Sequence, residues 1–278
     1  MPVIKGIDVS NHQDRIDWSR VRADGIAFAY VKASEGTTFA DPKYAAHVTG
    51  AKAARIRTGA YHFARPDTRS SDPARDARAE ADWFLSLARP RSGDLVPALD
   101  LETAGLAPAA MVEWARAWLD HVRAATGVRP IVYTYPAFWS ALGGTTAFRL
   151  YPLWIANYEV SEPQLPAGWR RYAIWQYSAS GSVDGIPGRT DLNRLADGVS
   201  LADITYRPGR RKRRVREQNL PGPVPKPIWF WPWLRWRLGV GEFVGLGMNE
   251  RVRPDEAPAE IPSWAFECVE KLAAERTR

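Results

Sequence analysis

The sequence predicts an α/β chain: an irregular TIM-like (β/α) barrel, then a basic, proline-rich linker and a small C-terminal module. Three observations carry this. Eight short apolar runs are spread through the first 206 residues, several are separated by amphipathic helical stretches, and past residue 206 the composition changes abruptly.

The runs, in order, are KGIDVS, IAFAYVKASEG, RTGAYHFARP, LVPALDLE, RPIVYTYP, PLWIANY, YAIWQYS and a short TDLN. The stretches DPARDARAEADWFLSLARP and APAAMVEWARAWLDHVRAATG place apolar residues at helical spacing between them. Strands alternating with helices predict a parallel sheet covered by helices. The later connections are too short for full helices, so the second half of the barrel is expected to be irregular. Residues 1–206 form this unit.

Residues 207–227 are expected to be an extended linker, because like charges and closely spaced prolines disfavour a packed element. The net charge of +7 is concentrated there: residues 207–216 (RPGRRKRRVR) hold seven basic residues and no acid, and the flanking segments are close to neutral. Residues 228–278 begin with the tryptophan-dense IWFWPWLRWRLGVGEFVGLG. They end in IPSWAFECVEKLAAER, which reads as a short helix with Ser263 as its N-cap. Arg235, Arg237, Glu242 and Pro232 interrupt the tryptophan stretch and exclude a membrane span.

The overall 45% hydrophobic and 25% charged composition is ordinary for a globular protein. Cys268 is the only cysteine, so no intrachain disulfide can form, and the four histidines are scattered without zinc-site spacing. No metal and no cofactor are expected.

Chemistry is suggested where strand runs end in acids. Asp100 and Glu102 close LVPALDLE, and side chains at i and i+2 of a strand share a face, separated by roughly 6.6 Å of rise. Asp8 ends the first run and Asp191 begins the last, and first and last strands are neighbours in a closed barrel. Acids gathered at the rim where barrel catalysis occurs suit glycosidic cleavage, with one carboxyl protonated as general acid and the other ionised. A D-x-E pair can instead cap a strand and form salt bridges, or chelate Mg²⁺ beside a phosphate. Lys32 is the obvious cation at a strand end. Aromatic pairs at i, i+2 spacing, Tyr61 with Phe63 and Tyr133 with Tyr135, would floor a sugar-binding cleft, as would Trp154; for any single aromatic the alternative is core packing.

The motifs GIDVSNHQ, YVKASEGTTFADPKY, GAYHFARP, PALDLE, IVYTYPAFW, LWIANY, AIWQYS and TDLNRL occur in the order seen in the glycoside hydrolase family 25 muramidases, the Chalaropsis-type lysozymes. The chain resembles that family from residue 4 to about 196. The resemblance implies an irregular (β/α) barrel that hydrolyses the β-1,4 bond between N-acetylmuramic acid and N-acetylglucosamine in peptidoglycan. It implies Glu102 as general acid, and Asp100 as the carboxylate that either attacks or orients the substrate's acetamido group. Asp8 and Asp191 match flanking acids that tune the pair. Lys32, Tyr61, Phe63, Tyr133, Trp154 and Gln176 match substrate-cleft positions, and Tyr135 joins them by its spacing from Tyr133.

An endolysin-like muramidase is therefore expected, the N-terminal MPVIKGIDVSNHQ showing no signal-peptide pattern, so that the protein waits in a host cytoplasm until a holin releases it. Peptidoglycan is the expected partner, with an anionic wall polymer or membrane surface meeting the basic linker and the tryptophan-rich module. That module is read as wall-targeting through Trp229, Trp231, Trp233 and Trp236, or else as a minimal core. A chitinase-type hydrolase and a non-catalytic glycan-binding barrel are the alternatives. RRKRRVR beside tryptophans suggests nucleic-acid binding, which the near-neutral barrel argues against, so no nucleic acid is expected.

Overall fold

A computed structural model describes residues 3–103 and 105–208. All but the first two residues of the 207–227 segment, and the whole of 228–278, lie outside the described residues.

The elements run β1 (Lys5–Val9), α1 (Trp18–Ala23), β2 (Ile26–Glu35), β3 (Phe39–Ala40), α2 (Tyr44–Ala53), β4 (Arg57–Phe63), α3 (Pro73–Ala88), β5 (Ala98–Asp100), α4 (Pro108–Thr126), β6 (Ile131–Thr134), α5 (Pro136–Ala141), β7 (Leu153–Ala156), β8 (Ile174–Gly181) and β9 (Thr190–Leu195). All eight expected runs are strands. Eight strands close into a barrel in the order β1-β2-β4-β5-β6-β7-β8-β9, and β9 pairs back onto β1; the two-residue β3 is an antiparallel addition to β2.

One expectation is corrected here. The strands from β1 through β8 in the barrel pair in parallel, but β9 runs antiparallel to both β8 and β1. The sheet is therefore mixed. No helix lies between β8 and β9, and a short connection can only return the chain in the opposite direction.

Local chemistry accounts for the helix limits. Asp17 caps α1, its Oδ1 accepting from the Ser19 and Arg20 amides at 3.1 Å each. Asp72 caps α3 through the Arg75 amide ahead of Pro73, whose missing N–H suits the first turn. Gly127, at φ 77°, stops α4 in the left-handed conformation.

Alternation along each strand divides the apolar residues into layers. Phe28, Tyr30, Ala98, Ile131, Trp154 and Ile174 fill the barrel interior. Leu99, Leu101, Val132 and Ile155 face outward and are covered by Ala77, Ala81 and Phe84 of α3 and Trp114, Trp118 and Leu119 of α4. A third cluster packs Ile7, Val9 and Val31 under Trp18 and Val21 of α1 and Ala51 of α2. Each inward row then ends at one rim of the barrel.

Candidate active site

That rim surrounds a cleft of about 290 Å³, and every barrel strand supplies it with an inward side chain. In order around the barrel they are Asp8 of β1, Lys32 of β2, Tyr61 and Phe63 of β4, Asp100 of β5, Tyr133 of β6, Trp154 of β7, Gln176 of β8 and Asp191 of β9. Glu102 joins them from just past the end of β5, held on the strand line by the Leu101 amide, which donates to the Tyr133 carbonyl at 3.0 Å. The antiparallel course of β9 is what brings Asp191 here. At the start of a parallel strand it would lie on the opposite face of the barrel.

Tyr135 is the expected cleft residue that the structure does not bring to this lining. β6 ends at Thr134 and Pro136 opens α5, with Tyr135 still extended as the cap of that helix. Its ring packs against the core with Phe138, centroids 5.9 Å apart.

The carboxyls are arranged for proton work. Asp8 is buried; its Oδ2 accepts from Gln176 Nε2 at 2.8 Å and Asn193 Nδ2 at 2.7 Å. Burial and then the neighbouring Asp191 nevertheless hold its pKa well above the usual carboxylate range. Asp100 is raised well above that range too, by burial, then by Glu102 and Asp8, and its Oδ1 has no hydrogen-bond partner among the described residues. Glu102 is half-buried and raised by burial and then by Asp191, with Lys32 pulling the other way. Asp191 is raised by burial. Four carboxyls, all raised, thus compete for protons in one cleft.

A hydrogen-bonded network fixes the floor. Trp154 Nε1 donates to Asn193 Oδ1 at 2.7 Å, and the Tyr133 and Tyr158 hydroxyls both donate to Gln176 Oε1, at 3.0 and 2.6 Å. Trp154 also packs against Tyr30, Tyr133 and Tyr61, with ring centroids 4.8, 5.0 and 6.4 Å away. It is a floor residue with little exposed surface, 2%.

Several site residues escaped the sequence reading. Tyr158 is not among these, being one of the aromatics that follow strand runs in the sequence; it lies on a loop after β7 and lines the cleft. Asn193 was legible in principle, being two residues along β9 from Asp191. Glu35 Oε1 accepts from Arg65 Nε at 2.6 Å while its Oε2 pairs with Lys32. Ser10, His12 and Gln13 form a rim after β1.

A model described as glycosyl hydrolases family 25 matches residues 7–186. The chain belongs to that family. Lysozyme M1 of Streptomyces globisporus is 36% identical over 204 residues, covering 69% of this chain and 67% of its own. The N,O-diacetylmuramidase of Chalaropsis sp is 36% identical over 217 residues, covering 70% of this chain and 100% of its own. Among solved structures, the bacterial lysozyme from Streptomyces coelicolor superposes with a TM-score of 0.67 at 35% identity, over 73% of this chain and 98% of that one. The family 25 match spans β1 to the β8–β9 connection, so it takes in Asp8, Asp100 and Glu102 and stops short of Asp191 and Asn193.

Proposed function

We propose that this family 25 glycoside hydrolase is a muramidase, cleaving the β-1,4 bond from N-acetylmuramic acid to N-acetylglucosamine in peptidoglycan. The observation that carries the reading is the pair Asp100 and Glu102 on one strand line, inside an aromatic-floored cleft with two more carboxyls.

Glu102 is the general acid. It stands further out than Asp100, where the leaving sugar oxygen is within reach, and its raised pKa favours the protonated form. As the bond from C1 to oxygen breaks, the proton passes from Glu102 to that oxygen. Positive charge develops at C1 and is stabilised by ionised Asp100. Asp100 then attacks C1 itself or orients the acetamido group that does so; water completes hydrolysis. Its ionisation is favoured by Lys32, and an amide N–H donated by bound substrate would favour it further.

Muropeptide analysis of digested peptidoglycan tests this. New reducing ends at muramic acid, absent with Glu102→Gln, are expected. Ends at glucosamine, or undiminished activity of the variant, would refute it.

The proposal extends to residues 207–278 on their sequence alone: the basic run is suited to anionic wall polymers, and residues 228–278 act as a wall-targeting module. Removing residues 209–278 should weaken binding to intact cell walls and leave cleavage of soluble glycan unchanged; equal wall binding would reject the targeting role.

A further inference from the structure

Beside the cleft, outside the residues already given a role, Arg65 is held in an unusual way for an exposed arginine. Its side chain is 51% exposed, yet it is fixed from three sides. The backbone amide of Arg65 donates to Glu80 Oε2 at 3.1 Å, and Glu80 is wholly buried and bonded to His62. The guanidinium lies over the Phe63 ring, 4.6 Å from its centroid, while Nε donates to Glu35. The stem runs past the β2–β3 turn at Gly36, whose φ of +55° suits glycine; a Cβ there would come within 3.3 Å of the Arg65 Cβ.

An ordinary surface arginine samples many rotamers, and an exposed ion pair is worth little because ordering two long side chains offsets the attraction. Here the ordering is already done by the protein. Glu35 divides its two oxygens between Lys32 and Arg65, so one negative charge meets two positive ones. The cluster keeps a net charge of about +1. Among the described residues, neither terminal nitrogen of Arg65 has a hydrogen-bond partner. A planar fork with Nε clasped and both terminal nitrogens available is prearranged to receive a carboxylate.

We propose that Arg65, clasped to Glu35 and backed by Phe63, binds a carboxylate carried by the side substituent of the glycan. This rests on the muramidase reading, since the substituent of muramic acid is what separates peptidoglycan from chitin. The carboxylate has two sources: the lactyl group itself where it is free, or the stem peptide where the lactyl carboxyl is amidated. Arg65 is therefore a specificity residue; a neutral glycan of the same length would not use it.

Binding is the appropriate readout, because the charge of Arg65 also reaches Glu102 and would alter turnover independently. In a Glu102→Gln background, which keeps the ligand intact, affinities would be measured calorimetrically for four ligands. These are a GlcNAc–MurNAc tetrasaccharide with free lactyl carboxylates, its lactyl carboxamide, the same glycan bearing stem peptides, and chitotetraose. Adding Arg65→Gln should weaken the free-carboxylate or the peptide-bearing ligand by about tenfold. The carboxamide and chitotetraose should be unaffected, and added salt should shrink the difference. Loss on the first ligand identifies the lactyl group, and loss on the third identifies the peptide. A reduced folded fraction would weaken all four ligands by the same factor, so partial misfolding cannot imitate this selectivity. Equal weakening of all four, or of none, overturns the proposal. If the Glu102→Gln protein binds chitotetraose but none of the three muramic acid ligands, the muramidase reading itself has failed.

Discussion

Asp8 and Asp191 are directly opposed in the antiparallel β1–β9 pair, two acids on one rung of the barrel although 183 positions separate them in the chain. Their positions couple the flanking acids to the catalytic pair. Asp191 adds to the burial that raises Asp8, and adds likewise to the burial that raises Glu102.

Asp191→Asn removes a negative charge that favours the protonated form of Glu102. A general acid works while protonated, so its pKa sets the alkaline limb of the pH–rate profile. With that pKa lowered, the alkaline limb of kcat/KM should move to lower pH. An unmoved or alkaline-shifted limb would contradict the coupling.

Glu102 and Asp100 separate by leaving group. Glu102→Gln should lose about 10²- to 10⁴-fold on peptidoglycan, the usual contribution of a positioned acid. On a muramyl glycoside with an activated phenol, which departs without a proton, Glu102→Gln should recover most of the loss and Asp100→Asn should not. Similar recovery by both would undo the assignment.

The buried pair behind β4 predicts a pH-dependent stability. Burial raises Glu80 to about 8 and lowers His62 to about 3. Neutral Glu80 then donates to His62 Nε2 at 2.7 Å, and His62 Nδ1 reaches Ser34 Oγ at 2.8 Å. Between the ordinary 4.5 and about 8 the folded chain keeps a Glu80 proton that the unfolded chain releases. Stability from this group is fully present below that window and falls as pH rises through it, by up to about 1.4 kcal/mol per pH unit. Glu80→Gln removes the titration and keeps a donor to His62, although the Arg65 amide, which shares Oε2 with His62, then loses its acceptor. Urea unfolding at pH 5 and pH 8 should show the variant gaining on the wild type at the higher pH; an unchanged difference would rule this out.

Gly6 takes the inward position on β1 one alternation below Asp8, and a Cβ there would lie 2.3–2.5 Å from ring atoms of buried Phe28. Gly6→Ala should destabilise the barrel by about 1–3 kcal/mol through overpacking. Activity per folded molecule should persist, as thermal unfolding beside active-site titration would check.

Much of the site was legible because its acids terminate apolar runs. Asp8, Asp100 and Asp191 interrupt patterns that otherwise predict burial, and such interruptions are visible without a structure. The direction of β9 was not: period-two alternation is the same read either way, and only the short connection from β8 hints at a reversal. Tyr135 shows the converse failure: its backbone is still extended, but as the cap of α5 its half-buried ring packs with Phe138 instead of lining the cleft. α2 was missed because Gly50 and Thr49 weaken its helical signature. Gly50 is there for contact, as a Cβ would meet the Trp18 ring at 2.3 Å. The Glu35–Arg65 clasp and the His62–Glu80 pair join elements distant in sequence, and no local pattern announces them.

The reversed last strand also determines where the barrel begins and ends. β1 starts and β9 finishes on the rim opposite the cleft, and the Leu195 amide donates to the Ile4 carbonyl at 3.0 Å. The first and last barrel strands are thus stitched together on that rim, and residues 196–206 continue there, the Val96 amide donating to the Ile204 carbonyl at 2.8 Å. Such a unit behaves as a cassette: it can be joined to other sequence at either end, or cut and rejoined, without rebuilding the rim that holds the four carboxyls.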